Sequence, residues 1–343
     1  MTAPSGKAIR KVAAWSATGL LTVVVILISV TIGWRPVLGA KARPLTTRQF
    51  ERTPERLARG KYLVEGVVNC YDCHSGLPSQ PPTAGVAPVF TKEGAGRVFI
   101  EEGNLRVVAP NITPDRETGA GTWTDDQIAR AIREGIGHDG RTLFPAMPYR
   151  DFYYLSDEDL ASIIVYLRSR ESIHNELPKT QVPFPLSRLI NSGPEPVNET
   201  AVKTFPNAAE RGRYLAQIAS CGDCHTPVDK AHRPLPGMEF AGGAPIEDFP
   251  AASANITPDP SGIGYYDEAL FIKALRTGHV GARALSPPMP WWNFRNMTDE
   301  DLKALFAYLR TVKPVHHRVD NSETATRCKV CNGNHGAGAE NGS

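Results

Sequence analysis

"CYDCHSG" occupies residues 70–76 and sets Cys70 and Cys73 three positions apart, with His74 directly behind them. Three chemistries use such a stretch: a redox-active dithiol, half of a zinc site, or the attachment point of a c-type haem. Each needs different partners elsewhere in the chain, so the choice decides the fold. A thioredoxin-type dithiol sits in a strand–turn–helix of a βαβ pattern, and none is visible. Two Cys-x-x-Cys pairs can build a four-thiolate zinc site, usually with roughly 15–20 residues between them. Here the six cysteines fall into the pairs Cys70/Cys73, Cys221/Cys224 and Cys328/Cys331, and 147 residues separate the first two pairs. Zinc also gives no reason for His225 to follow Cys224 directly.

The first two pairs belong to a repeat. "RGKYL" at 59–63 recurs as "RGRYL" at 211–215, "CYDCH" at 70–74 as "CGDCH" at 221–225, and "NITPD" at 111–115 again at 255–259. "PAMP" at 145–148 returns as "PPMP" at 287–290, and "LSDEDLASIIVYLRS" at 155–169 as "MTDEDLKALFAYLRT" at 297–311. Five blocks in the same order mean two copies of one unit, 54–170 and 206–313. The Pro- and Ser-rich stretch 171–205 reads as a linker, and 314–343 as a flexible C-terminal tail. The first copy is longer between its His and its NITPD (37 positions against 30), which places an inserted loop there.

Covalent haem accounts for each repeated part. Two thiols at this spacing add to the two vinyl groups of one haem, and His74 or His225 follows as proximal ligand. A thioether on the opposite side suits a high-potential electron-transfer iron. Met147 and Met289 are the candidates, 73 and 64 positions beyond their histidines, each in a Pro-flanked loop. Met297 instead stands immediately before a helix cap, the place of Leu155 in the first copy, and is read as packing.

Helices are expected at 54–68 and 206–219, after a Thr124/Gln127 capping box, near Asp267, and after Ser156 and Thr298. Apolar residues at Leu160, Ile163, Ile164 and Leu167, and at Leu302, Leu305, Phe306 and Leu309, give the last helices a buried face. Gly60 and Gly212 are read as letting the first helix of each copy approach the last, against Tyr166 and Tyr308. No convincing strands are visible.

The chain has 343 residues and a net charge of +2, with basic residues scattered, so no nucleic-acid footprint is present. No group is arranged as nucleophile or general base on an organic substrate. Residues 12–34 carry no charge and as a helix would span roughly 34 Å, enough for a ~30 Å hydrocarbon core. A retained membrane anchor over 1–42 is the expectation, with a cleaved signal peptide ending near "AKA" (40–42) as the alternative.

The order CxxCH, NITPD, PxMP and TDEDLxALxAYLR resembles class I cytochrome c units of bacterial membrane-bound multihaem subunits, which accompany periplasmic alcohol, gluconate and sugar dehydrogenases. The likeness covers about 54–313. It implies all-helical cytochrome c domains. With the uncharged N-terminal run, the expectation is an all-α fold of two tandem cytochrome c domains behind one N-terminal transmembrane helix. That helix would lie in the inner membrane with the haem domains facing the periplasm, the side that suits haem attachment and exposed Cys-x-x-Cys pairs. The likeness also implies two covalently bound haem c groups. Electrons would pass from a periplasmic dehydrogenase towards quinone, a terminal oxidase or a soluble cytochrome. A dihaem peroxidase or thiosulfate-oxidising enzyme, with one labile axial ligand, is the alternative. The resemblance puts Asn111 and Asn255 beside the haems; a turn held by Asn and Pro is the other reading. Many such subunits carry a third haem motif, but here the third pair reads "CKVCNGNHGAG", with Asn332 where His is required. A disulfide or free thiols are expected at Cys328 and Cys331. His138 and His279 are read as loop histidines or propionate partners, His316 and His317 as a charged helix exit, and His174, His232 and His335 fit no constellation.

Overall fold

The computed structural model describes residues 6–80, 83–197, 204–229, 232–246, 249–321 and 326–336, without the side chains of 6–13 and 245–250. Part of the linker, the end of the tail, and the side chains of Lys7, Arg10 and Lys11 lie outside the described residues.

The chain opens with α1 (Gly6–Val30) and the single turn α2 (Arg35–Leu38). Here the membrane expectation is corrected: among the described residues no helix is long and apolar enough to cross a membrane. The uncharged run continues to Trp34, but the helix stops at Val30, and Gly33 then takes φ +70°. Only residues 12–30 of the uncharged run are helical, a rise of about 28 Å at ~1.5 Å per residue, short of a ~30 Å hydrocarbon core. The single-pass inner-membrane placement falls with it.

The first copy begins with α3 (Pro54–Gly66), capped by the Thr53 hydroxyl on the Arg56 amide at 3.2 Å, and continues into α4 (Cys70–His74). The all-α expectation also needs correction. Hairpin strands β1 (Gly76–Pro78) and β2 (Phe90–Thr91), then β3 (Arg97–Glu102) and β4 (Leu105–Ala109), fill the inserted stretch. Gly103 at φ +56° opens the two-residue turn Gly103–Asn104, the glycine position that a tight hairpin turn demands. Next come α5 (Asp125–Glu134) behind its Thr124/Gln127 capping box, α6 (Tyr149–Phe152) and α7 (Asp157–Arg168), whose Ser156 hydroxyl accepts from the Asp159 amide at 3.1 Å. The chain then forms the short α8 (Leu186–Leu189), which packs near α2.

The second copy repeats the helical plan with α9 (Ala208–Ile218) and α10 (Cys221–His225). The short pair β5 (Pro245–Ile246) and β6 (Phe249–Ala252) follows, then α11 (Glu268–Thr277) capped by Asp267. After β7 (His279–Val280) and β8 (Arg283–Ala284) come α12 (Trp291–Phe294) and α13 (Asp299–Leu309), the latter capped by Thr298. A last hairpin, β9 (Thr326–Arg327) with β10 (Asn334–His335), lies in the tail.

In each copy the first helix packs on the last, α3 on α7 and α9 on α13. Glycine makes the approach possible. A Cβ on Gly60 would lie 2.0 Å from the Ser162 carbonyl oxygen and 2.6 Å from Tyr166 Cβ; on Gly212 it would lie 1.9 Å from the Ala304 oxygen and 2.8 Å from Tyr308 Cβ. The two copies share one core, in which Leu63 and Ile164 meet the same cluster as Leu215 and Leu302.

The copies also exchange hydrogen bonds in a reciprocal pattern. Tyr62, from the first RGxYL, donates to Asp301 of α13; Tyr214, from the second, donates to Asp159 of α7 at 2.6 Å. Each carboxylate is also paired with the arginine of its own copy, Arg211 with Asp301 and Arg59 with Asp159. Burial, aided by the Asp301 carboxylate, pushes the Tyr62 hydroxyl up to about 12, so it stays a proton donor.

Candidate functional site

Asn69 and Ser220 take left-handed backbone, at φ +51° and +55°, just before α4 and α10. That conformation turns the chain sharply out of α3 and α9 into the Cys-x-x-Cys-His turns; α4 buries Tyr71 and His74, whereas no residue of α10 is buried. In the first copy Cys70, Cys73, His74 and Met147 line one cleft of about 1420 Å³ of empty space, part of it open to solvent. Ile128 and Leu167 contribute to its largely apolar walls.

The histidines are held the same way in both copies. His74 Nδ1 lies 2.8 Å from the Pro110 carbonyl oxygen and His225 Nδ1 lies 2.7 Å from that of Ala254, each the residue before NITPD. A carbonyl only accepts, so Nδ1 carries the proton and Nε2 keeps a free lone pair. Burial pushes both imidazoles below their ordinary range, towards the neutral form that a metal binds. Burial also pushes the Cys70, Cys73 and Cys221 thiols up to about 12. Redox-active cysteines instead have depressed values in electropositive surroundings.

Met147 and Met289 occupy matching turns. The Met147 amide donates to Phe144 at 3.1 Å and its carbonyl accepts from Tyr149 at 2.8 Å; Met289 does the same with Ser286 at 3.0 Å and Trp291 at 2.8 Å. Both lie partly buried against the core. Met297 is 2% exposed and Leu155 is 1% exposed, so the residue before each cap packs inward.

The donor set of the first copy fits a covalently attached haem: two thiols, an imidazole with its Nε2 free, and a thioether converge on one apolar cleft. In the second copy the local geometry of Cys221, Cys224, His225 and Met289 repeats.

Of the two readings of NITPD, the turn is what forms. Asn111 Oδ1 accepts from the Thr113 amide at 3.0 Å, and its Nδ2 donates to the Ile173 carbonyl at 2.7 Å. Asn255 matches it, with Thr257 at 2.9 Å and Val315 at 2.9 Å. The neighbours Pro110 and Ile112 line the cleft instead.

Sequence reasoning missed one whole wall of the site. Phe99 from β3 and Val107, Val108 and Ala109 from β4 face the cleft, as do Trp123 and Arg141. The signal was present in "EGNL" (102–105), a glycine turn between two β-branched runs. His138 is an exposed loop histidine that also borders the cleft and stacks on Trp123, with ring centroids 4.2 Å apart. His279 sits where a Cβ on Gly85 would lie 2.5 Å away, so the inserted loop of the first copy reaches the second. His316 faces Asp259 at 3.2 Å.

The family described as cytochrome c matches residues 209–313, within the second copy. Among curated proteins, the chain is 30% identical over 288 residues to the fructose dehydrogenase cytochrome subunit of Gluconobacter japonicus, covering 79% of this chain and 56% of that one. It is 30% identical over 334 residues to the cytochrome c subunit of the quinone alcohol dehydrogenase of Gluconobacter oxydans (strain 621H), covering 89% and 66%. A diheme cytochrome c-type protein of Cereibacter sphaeroides is 27% identical over 304 residues, 84% of this chain and 99% of its own length. The chain thus spans 56% and 66% of the length of those two dehydrogenase subunits. With the haem-type donor set and the likeness to these subunits and to that of gluconate 2-dehydrogenase, the chain belongs to the cytochrome c family, the class of covalent haem c proteins that includes the cytochrome c subunits of dehydrogenases.

Proposed function

We propose that the chain is a two-haem electron carrier serving a dehydrogenase. Cys70 and Cys73 would attach one haem, with His74 and Met147 as the iron ligands; Cys221 and Cys224 would attach the other, with His225 and Met289. The haem supplies one-electron Fe(II)/Fe(III) chemistry. The protein's own contribution is to hold each imidazole through a backbone carbonyl, to hold each thioether in a proline-flanked turn, and to exclude water with apolar walls, which tunes potential. The observation that supports this reading best is the cleft on which Cys70, Cys73, His74 and Met147 converge. The same four residue types in the same register in the second copy favour a count of two. The dehydrogenase partner is inferred from the printed names of the relatives; the acceptor would be quinone, an oxidase or another cytochrome. A pyridine haemochrome assay on the purified chain should return two haems per polypeptide, with the low-spin spectrum of a c-type cytochrome. One haem, three haems or a colourless protein would overturn the reading.

A further inference from the structure

The third cysteine pair has partners that its spacing does not reveal. Cys328, Cys331, His317 and His335 come together so that one ligand atom from each lies within 4.8 Å of all the others. Cys328 Sγ is 3.4 Å from His317 Nε2, and Cys331 Sγ is 3.2 Å from His335 Nε2. A tetrahedral zinc site with bonds of ~2.0–2.3 Å has donor–donor edges of about 3.5 Å, so these two edges already have the length that zinc requires. We propose that these four side chains form a structural zinc site, separate from the two haem sites.

The surroundings are those of a built metal centre. His317 Nδ1 lies 2.8 Å from the Ala241 carbonyl and His335 Nδ1 lies 3.3 Å from that of Arg318. Both carbonyls accept a hydrogen bond from Nδ1–H, which leaves each Nε2 lone pair aimed at the thiols, as outer partners of metal-bound histidines do. The Val330 and Gly333 amides point at Cys328 Sγ and Cys331 Sγ, each at 3.3 Å, ready to stabilise thiolates. His317 is 1% exposed and Cys331 is 8% exposed. Asn332, standing where a haem motif would carry His, instead takes left-handed backbone at φ +60° and closes the turn between the cysteines and β10. Gly243, at φ +85°, leaves room for the rings, since a Cβ there would lie 2.6 Å from both His317 Cε1 and His335 Nε2.

Two thiolates and two imidazoles in a closed tetrahedron select a zinc-class divalent cation in a structural role, with no open position for substrate. Binding Zn²⁺ releases the two thiol protons and involves no change of oxidation state. The site would staple the β9–β10 hairpin onto the second copy beside its haem motif. His317 holds Ala241, the next amide, Gly242, donates to the His225 carbonyl at 2.7 Å, and Asn255 Nδ2 donates to the His317 carbonyl at 3.0 Å.

The test uses the full haem-loaded chain, purified without chelator from zinc-supplied cells. Elemental analysis should find one zinc per chain, and zinc-edge X-ray absorption should show two sulfur and two nitrogen neighbours, at ~2.3 and ~2.0 Å. The double variant Cys328→Ser/Cys331→Ser should lose at least tenfold in zinc content while its haem absorbance per chain stays unchanged. Alkylation after unfolding in chelator should label both cysteines. No zinc in the wild-type chain, a Cys328–Cys331 disulfide, oxygen-only neighbours around zinc, or full zinc retention by the double variant would each overturn the proposal. The wild-type measurements decide even if the variant fails to fold, and none depends on the haem count.

Discussion

Met289 and Met297 stand eight positions apart on either side of α12, and the repeat register assigns them different work. Met289 shares the hydrogen-bonded turn of Met147, whereas Met297 replaces Leu155 under the cap of the last helix. Met289→Ala should remove the thioether-to-iron absorption band of one haem and lower that haem's potential, because Met/His ligation raises it. The band of the other haem should remain. Met297→Leu should keep both bands and cost under ~1.5 kcal/mol, since volume-conserving core swaps are tolerated best. Near-infrared or difference spectroscopy with a redox titration reads both. The reverse pattern would mean that the register is wrong.

Helix contacts inside each copy depend on a residue with no side chain. Helix propensity alone favours Gly60→Ala by about 1 kcal/mol. The contact geometry opposes it: the new methyl would meet the Ser162 carbonyl of α7, a backbone atom that cannot rotate away. Separating two packed helices costs ~1–3 kcal/mol or more, so the net expectation is a loss of stability and a lower urea midpoint with unchanged slope. A midpoint that rises instead would show that α3 and α7 do not approach this closely. Gly212 lies under the same constraint against α13, so Gly212→Ala serves as an internal repeat of the measurement.

The two copies meet through charge as well as through the shared core. Asp151 of α6 faces Asp223, inside the second Cys-x-x-Cys-His block, and accepts a hydrogen bond from Gln217 Nε2 at 2.5 Å. Burial, and then the Asp223 charge, push the Asp151 carboxyl up to about 7 from its ordinary 3.8. The folded state therefore binds this proton more tightly than the unfolded chain does. Its contribution is fully present below pH ~4, declines as pH rises towards 7, and is lost above that. Asp151→Asn keeps the shape without the charge. It should flatten the stability profile between pH ~4 and 7 and stabilise the protein at pH 8 by on the order of 1–2 kcal/mol. Denaturant titrations of both proteins at pH 4.5 and 8 measure the difference; equal profiles would remove the carboxylate pair from the account.

Much of this architecture could be read from the chain because it is coded locally. The Ser156, Thr298 and Thr124 caps, the Cys-x-x-Cys-His blocks and the Pro-held methionines are each set by contacts within a few residues, and the repeat displays each twice. The glycines at 60 and 212 were legible for the same reason, since only a missing Cβ explains them in a helix. Other features depend on residues far apart in sequence, and no local spacing records which will meet. The β3–β4 wall needed a cleft to face before its short apolar runs meant strands. An uncharged run at 12–34 looked long enough for a membrane, but the backbone turns at Thr31–Gly33 and leaves only 12–30 of that run helical. The tail is the clearest case. His317 and His335 flank the cysteine pair at different distances, and only the hairpin folded back against Gly243 gives all four side chains a common centre.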